Sequence, residues 1–222
     1  PADIDYLLAA VRENCPGLGW TRAQVRGSFA GLRTLRGVSG APSAVSREWE
    51  LLTPEPGLLL PLGGKLTSAR VEAAHTVDRL RPGRHPTAQR PFPWKPSGPW
   101  PAWRAHAIRA GCAGGLDIET AAHASERFGA TLPLLLDRLR EQPDLAARIV
   151  PHAPFCWGEI AHAAAHEQAH TLPDVLRRRI PLTILTQCDA AIATRAAALA
   201  GAVLGWSAAR CDHEAQTVVF RG

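Results

Sequence analysis

Two glycines and a lysine in the run Gly63-Gly64-Lys65-Leu66-Thr67 stand between an apolar stretch and a helical pattern. Glycine lets the backbone approach a ligand closely and adopt positive φ. A helix that begins here offers unpaired N–H groups and a partial positive charge, and Lys65 adds a full charge. Such a place suits a phosphate or a developing negative charge. The spacing alone favours a plainer interpretation, an ordinary strand-to-helix turn with a surface lysine.

Two arginines have chemistry suited to the same anion. Arg33 follows Gly31 and Leu32 at the end of an apolar stretch, where its guanidinium could fork onto a phosphate. Arg47 has the same ambiguity, but its neighbour Glu48 strengthens the interpretation as a structural ion pair. Taken alone, each arginine is better explained by an ion pair than by a ligand.

A competing motif occupies residues 166–170, which read H-E-Q-A-H. On a helix, H-E-x-x-H places two imidazoles on one face with a glutamate beside them, as in zinc peptidases. His162 lies one turn earlier. The longer metal-binding signature fails, because Pro173 and Leu176 stand at its required glycine and histidine. We therefore predict no metal site; a zinc-binding protein remains a distant alternative to a polar helix face.

The hydrophobic pattern predicts an α+β fold, in which a small mixed piece precedes an all-α bundle. Over the first 80 residues we expect a helix at 3–14, an extended segment at 21–35, a loop at 37–43, strands at 47–52 and 58–62 around a turn at 53–57, and a helix at about 66–80. Further helices are expected at 117–128, 132–140, 144–150, 157–170, 173–179, 189–204 and 208–218.

Residues 81–101 contain seven prolines, which is typical of an extended linker and a domain boundary. Trp94, Trp100 and Trp103 suggest that this linker lies packed on a surface. The sequence thus predicts three parts: a domain over 1–80, the linker over 81–101 and a helical domain over 102–222.

The composition narrows the function classes. The net charge is +5 and the pI about 9.4, but the basic residues are scattered, so nucleic acid is not an expected partner. Five cysteines without a C-x-x-C spacing indicate neither a disulfide framework nor a zinc knuckle, so a reducing compartment such as the cytoplasm is expected. No methionine occurs, from which we expect that the chain follows a processing site or is an excised piece.

The order of the motifs resembles the second half of the flavin domain in FAD-dependent glycerol-3-phosphate dehydrogenases. In that family the pattern runs approximately G-[LV]-R-P-L, then [ST]-R-[DE], then G-G-K-[LW]-T-T; here it is met by residues 31–33, 46–48 and 63–67. The helical C-terminal domain is also similar, through residues 126–129, His166-Glu167 and 171–179. The resemblance covers nearly the whole chain.

The resemblance implies roles for the candidate residues. Arg33 and Lys65 would bind the phosphate or the reacting hydroxyl of glycerol 3-phosphate, and Arg47 would complete the basic pocket. Residues Gly63, Gly64, Lys65, Leu66 and Thr67 would lie along the FAD ring system. The implied reaction gives dihydroxyacetone phosphate, with hydride transfer to FAD and electrons passed to a quinone. A glycerol-3-phosphate oxidase is the close alternative; a peripheral contact with the inner membrane and a homodimer stay open.

The sequence departs from the family pattern in three places. Thr34 stands at the usual proline and Ser68 at the usual threonine, and both changes are mild. No G-x-G-x-x-G occurs, so the cradle for the FAD diphosphate is missing from this chain. We therefore expect the isolated chain to be inactive. A third hypothesis, a non-catalytic interaction domain, remains open for residues 102–222.

Overall fold

The computed structural model describes residues 2–25, 27–29, 31, 48–83, 87 and 89–219. By their internal contacts the residues form two units, one of 1–29 with 93–222 and one of 30–92. Residues 1–29 therefore belong with the helices and not with the hairpin. The predicted domains 1–80, 81–101 and 102–222 stay a prediction.

The smaller unit contains an antiparallel hairpin and a helix. Strand β1 (Glu50–Glu55) pairs with β2 (Leu58–Leu62), with Leu52 opposite Leu60. Gly57 closes the turn with a φ of +85°, and the register is irregular between Leu52 and Glu55. Helix α2 (Ala69–Leu80) follows the glycine loop. The predicted hairpin is confirmed, and β2 has the predicted bounds.

The larger unit is helical. Its helices are α1 (Ala2–Asn14), α3 (Trp100–Ala113), α4 (Ile118–Phe128), α5 (Leu132–Glu141), α6 (Gly158–His166), α7 (Leu182–Leu185), α8 (Ala190–Leu204) and α9 (Ala208–Val218). Short 3-10 turns span Pro16–Leu18, Arg22–Gln24, Gly129–Thr131 and Pro143–Ala146, and a π-helical turn spans Asp174–Arg179. None of the helices in the described part of the chain is long and apolar enough to cross a membrane.

The core lies among α4, α5, α6 and α8. Its largest fully buried apolar side chains are Leu135, Leu139, Leu145, Ile160, Leu172, Val175, Leu176, Ile180 and Leu182. Helix α8 contributes a face of buried alanines, whose small side chains allow close helix packing. The chain supplies its own start signals: Asp117 accepts hydrogen bonds from the backbone N–H of Glu119 and Thr120, and Asp189 and Ser207 cap α8 and α9.

The structure corrects several predicted elements. The prediction of a helix at 144–150 is wrong. Only Pro143–Ala146 forms a 3-10 turn, and Arg148 then forms an isolated antiparallel β-bridge with Cys156. Pro151 disfavours helical backbone at the residue before it. Helix α3 begins inside the predicted linker. Arg22–Gln24 forms a 3-10 turn where an extended segment was expected, and the loop predicted at 37–43 lies outside the described residues.

Candidate functional site

The glycine–lysine loop connects β2 to α2 through a backbone that only glycine adopts readily. Gly63 has a φ of +70° and Gly64 a φ of +91°. Both angles lie in the region where an L side chain clashes with its own backbone. The loop therefore has the positive-φ backbone for which the two glycines were predicted.

A carboxylate from the same unit lies against this loop. Glu72, in the first turn of α2, accepts hydrogen bonds from the backbone N–H of Lys65 at 3.3 Å and from the hydroxyl of Ser68 at 2.5 Å. A Cβ atom on Gly64 would come within 2.3 Å of its Oε2. The loop therefore already holds an anion, which is the chain's own.

The remaining residues of the motif face solvent. The Lys65 side chain is 62% exposed, and its Nζ lies 3.5 Å from Glu48 Oε1, a long contact between two exposed groups. Such an ion pair contributes little stability and is easily exchanged for another anion. Leu66 is 95% exposed beside it, and Thr67 is also exposed. Lys65 is thus available for a ligand, next to an uncovered apolar side chain.

Arg33 and Arg47 lie outside the described residues. Their predicted place in the same basic pocket stays a prediction.

The H-E-x-x-H motif does not lie on one helix. Helix α6 ends at His166, and Gln168 has a φ of +54°, which interrupts any helical continuation. His170 instead donates its backbone N–H to Asp174 Oδ2 at 3.1 Å. Over the residues that the structure describes, no three histidine, cysteine or carboxylate side chains are placed to bind a metal ion. The zincin geometry therefore fails at its second histidine.

Arg127 forms ion pairs with two carboxylates, of which one is buried in α6 and the other follows that helix. Arg127, at the end of α4, donates to Glu159 Oε2 at 2.5 Å and lies 3.3 Å from Glu167 Oε2. Glu159 is completely buried, and its Oε1 accepts from the backbone N–H of Cys156 at 2.9 Å. Burial raises the pKa of Glu159 to about 7, although Arg127 opposes the rise.

His162 stands one turn beyond Glu159 on α6. It is only 2% exposed, and its ring packs edge-on against Phe128 with the ring centroids 4.6 Å apart. Its buried Nδ1 has no hydrogen-bond partner among the residues that the structure describes. Burial is the main cause that lowers the pKa of His162 to about 4, and the charges of His166 and Arg127 lower it further. The ring is therefore neutral near pH 7.

The sequence did not predict that Arg127, Glu159 and His162 would form a cluster. The residues lie far apart along the chain, with Arg127 and Glu159 separated by 32 positions. The one available signal was Glu159 itself, a carboxylate inside an otherwise apolar run, which calls for a buried partner.

A model of the C-terminal domain of alpha-glycerophosphate oxidase matches residues 63–211, about two thirds of the chain. The chain belongs to this family.

Curated relatives match a longer part of the chain, up to 99% of it. Glycerol-3-phosphate dehydrogenase 2 of Mycobacterium tuberculosis (strain ATCC 25618 / H37Rv) is 32% identical over 99% of this chain and 38% of the relative. Glycerol-3-phosphate dehydrogenase of Synechocystis is 28% identical over 96% of this chain and 40% of the relative. Aerobic glycerol-3-phosphate dehydrogenase of Bacillus subtilis is 29% identical over 80% of this chain and 34% of the relative. The chain spans about two fifths of the length of the first two.

Proposed function

We propose that the polypeptide containing this chain oxidises sn-glycerol 3-phosphate to dihydroxyacetone phosphate. In this proposal FAD is the cofactor and a quinone receives the electrons. The observation that carries the proposal is the family match, which begins at the Gly63-Gly64-Lys65 loop. The isolated chain is expected to be inactive.

Lys65, Arg33 and Arg47 are the proposed substrate residues. Support for Lys65 comes from its exposed ammonium and its weak pairing with Glu48, which leave the charge available. A dianionic phosphate held by a lysine and an arginine gains charge-assisted hydrogen bonds, with the guanidinium supplying a forked pair. The three cations would fix the substrate by its phosphate and so orient its C2 hydroxyl.

The described residues of the loop fit one edge of a flavin. Gly63 and Gly64 have no side chains of their own to keep a planar ring away, although the Glu72 carboxylate fills the space beside Gly64, and Leu66 offers exposed apolar surface. FAD, when bound, would supply the acceptor for the hydride from C2. Glu72 holds the N–H of Lys65, so a negative charge on the ring would gain this donor only when the carboxylate moves aside.

The substitution Lys65→Gln tests the proposed phosphate contact. In the flavin-loaded full-length polypeptide we expect kcat/KM for glycerol 3-phosphate to fall about ten- to a hundredfold, because one charge-assisted contact is lost. Arg33→Ala should lower it similarly. The measurement is glycerol-3-phosphate-dependent dye reduction, with glycerol as the substrate that lacks the phosphate.

Lys95→Gln is the matched control, since Lys95 is also exposed and its loss changes the net charge equally. Unchanged kinetics in Lys65→Gln would reduce Lys65 to a surface lysine. No glycerol-3-phosphate oxidation in flavin-loaded wild type would reject the proposed substrate.

An oxidase that passes electrons directly to oxygen is the second candidate. Support comes from the name of the matching family model, whereas the relatives above are named dehydrogenases. Stoichiometric oxygen consumption without added quinone would favour the oxidase, and quinone-dependent turnover would favour the dehydrogenase. A peripheral membrane contact is part of the dehydrogenase proposal, since quinones reside in membranes; co-sedimentation with lipid vesicles tests it.

A further inference from the structure

A cavity of about 600 Å³ opens in the helical unit. Its walls include residues of all three C-terminal stretches that carry the family resemblance, together with Trp94 in the proline-rich segment and neighbouring helical residues. The lining side chains are Trp94, Arg127, Phe128, Thr131, Leu134, His162, His166, Glu167, Arg178 and Arg179. This volume suits a small organic molecule.

The charge of the cavity comes mainly from two adjacent arginines. Arg178 forms an ion pair with Asp174, and its side chain is 66% exposed. Arg179 is exposed and lines the cavity without an ion pair to any residue in the described part of the chain. Arg127, by contrast, is committed to Glu159 and Glu167. One guanidinium is therefore free for an anion, and a second is held by a single exchangeable carboxylate.

His162 belongs to the packed wall of the cavity and not to its accessible surface. The residue lines the cavity but is only 2% exposed, and its Nδ1 has almost no accessible surface. A bound ligand would therefore rest on the exposed side chains around it.

Part of the wall is apolar and exposed. Trp94 and Leu134 line the cavity with large exposed side chains, whereas the Phe128 side chain is buried against His162. A phosphate ion alone would leave this surface uncovered, whereas an organic ester would bury it.

We propose that this cavity binds a small organic phosphate, with its dianionic group on Arg178 and Arg179 and its organic part against Trp94 and Leu134. None of the described residues that line it is among the proposed flavin and substrate residues.

Isothermal titration of the full-length polypeptide tests the site with phenyl phosphate, inorganic phosphate and benzyl alcohol. Phenyl phosphate is expected to bind more tightly than inorganic phosphate, because it also covers the apolar wall, and benzyl alcohol more weakly than either. In the double variant Arg178→Gln/Arg179→Gln the Kd for phenyl phosphate should rise at least about tenfold.

Two controls separate this cavity from other anion sites. Arg177→Gln removes the same charge from the same turn but does not line the cavity, so the affinity should persist. Lys65→Gln should also leave it intact. Equal affinity in wild type and the double arginine variant would overturn the inference, as would binding that disappears only in Lys65→Gln, which would place the ligand at the proposed substrate residues.

Discussion

Glu159 and His162 lie one turn apart on α6 and respond to pH in opposite directions. The pKa of Glu159 is raised by burial from 4.5 to about 7, so folding keeps a proton on it that the unfolded chain releases. The pKa of His162 is lowered by burial from 6.5 to about 4, so folding expels a proton that the unfolded chain retains. Glu159 therefore lowers stability as pH rises from 4.5 to 7, and His162 raises it between pH 4 and 6.5.

The variant Glu159→Gln isolates the first effect. Relative to this variant, the unfolding free energy of wild type should fall as pH rises from 4.5 to 7, by at most about 3 kcal/mol, because the folded state must then ionise a buried carboxyl. Urea unfolding at a series of pH values, followed by tryptophan fluorescence, measures the difference. Glu141→Gln, an exposed change on α5, serves as the control. A difference that stays constant with pH would show that Arg127 keeps Glu159 ionised throughout.

At the residue scale, the sequence predicted the loop better than it predicted the loop's surroundings. Gly63, Gly64 and Lys65 were found because their types and order imply a backbone shape and a charge. Glu72 was not, because its hydrogen bond to Lys65 depends on how the first turn of α2 folds back. The ion pair between Arg127 and Glu159 forms only through tertiary packing, so no local sequence pattern identifies the two residues as partners.

At the element scale, helices with a capping residue and a strong period were predicted within a residue or two. α4 and α8 begin directly after Asp117 and Asp189, as their side chains require. α3 was not predicted. Pro99 and Pro101 were interpreted as linker, although proline fits the first turn of a helix, where its missing N–H is not needed. α6 was predicted too long because nothing in the sequence marks the positive φ of Gln168.

Gly129 joins the proline-rich segment to the helices. The backbone N–H of Ala130 donates to the carbonyl of Trp94 at 2.9 Å, and a Cβ on Gly129 would lie 2.2 Å from that carbonyl oxygen. Gly129 also has a φ of +52° with ψ at −133°, a conformation that other residues avoid. Only glycine lets the segment approach this closely.

We predict that Gly129→Ala lowers the unfolding free energy by about 2–5 kcal/mol, since backbone strain and a steric clash act together. Gly205→Ala is the matched control: Gly205 also has a positive φ, +70°, but its Cβ would meet open space, so only the strain of about 1–2 kcal/mol applies. Urea denaturation of both variants gives the comparison. Equal losses would indicate that the Trp94 carbonyl does not restrict position 129.

At the scale of the whole molecule, the division between the two units falls within the proline-rich stretch, after Phe92. Residues 93–99 belong by their contacts to the helical unit, and Trp100 already starts α3. Composition predicted an extended linker with packed tryptophans; Trp100 stacks on Trp103, while Trp94 is about half-exposed. The hydrogen bond from Ala130 to Trp94 spans 36 positions and could not be predicted from either segment alone.

Flavin retention is the prediction that belongs to this scale. In the proposed function the glycine loop meets only one edge of the flavin, and the sequence has no G-x-G-x-x-G run for the diphosphate, so most of the FAD-binding free energy would come from residues outside this chain. We expect the isolated chain, after incubation with FAD and gel filtration, to carry far less than one flavin per chain by absorbance. The full-length polypeptide should carry about one. A stoichiometric complex with the isolated chain would reject this division of the cofactor site.

Any anion that binds at the glycine loop must compete with the Glu72 carboxylate for the same hydrogen-bond donors. A carboxylate tethered a few residues away acts at a fixed effective concentration, which for short connections reaches the millimolar range. The measured affinity is then the intrinsic one multiplied by the fraction of time that the carboxylate is away. If that fraction were about one tenth, the apparent Kd would rise tenfold, or about 1.4 kcal/mol. The tethered carboxylate thus raises the concentration at which any anion half-occupies the loop, by the same factor for weak and for tight binders.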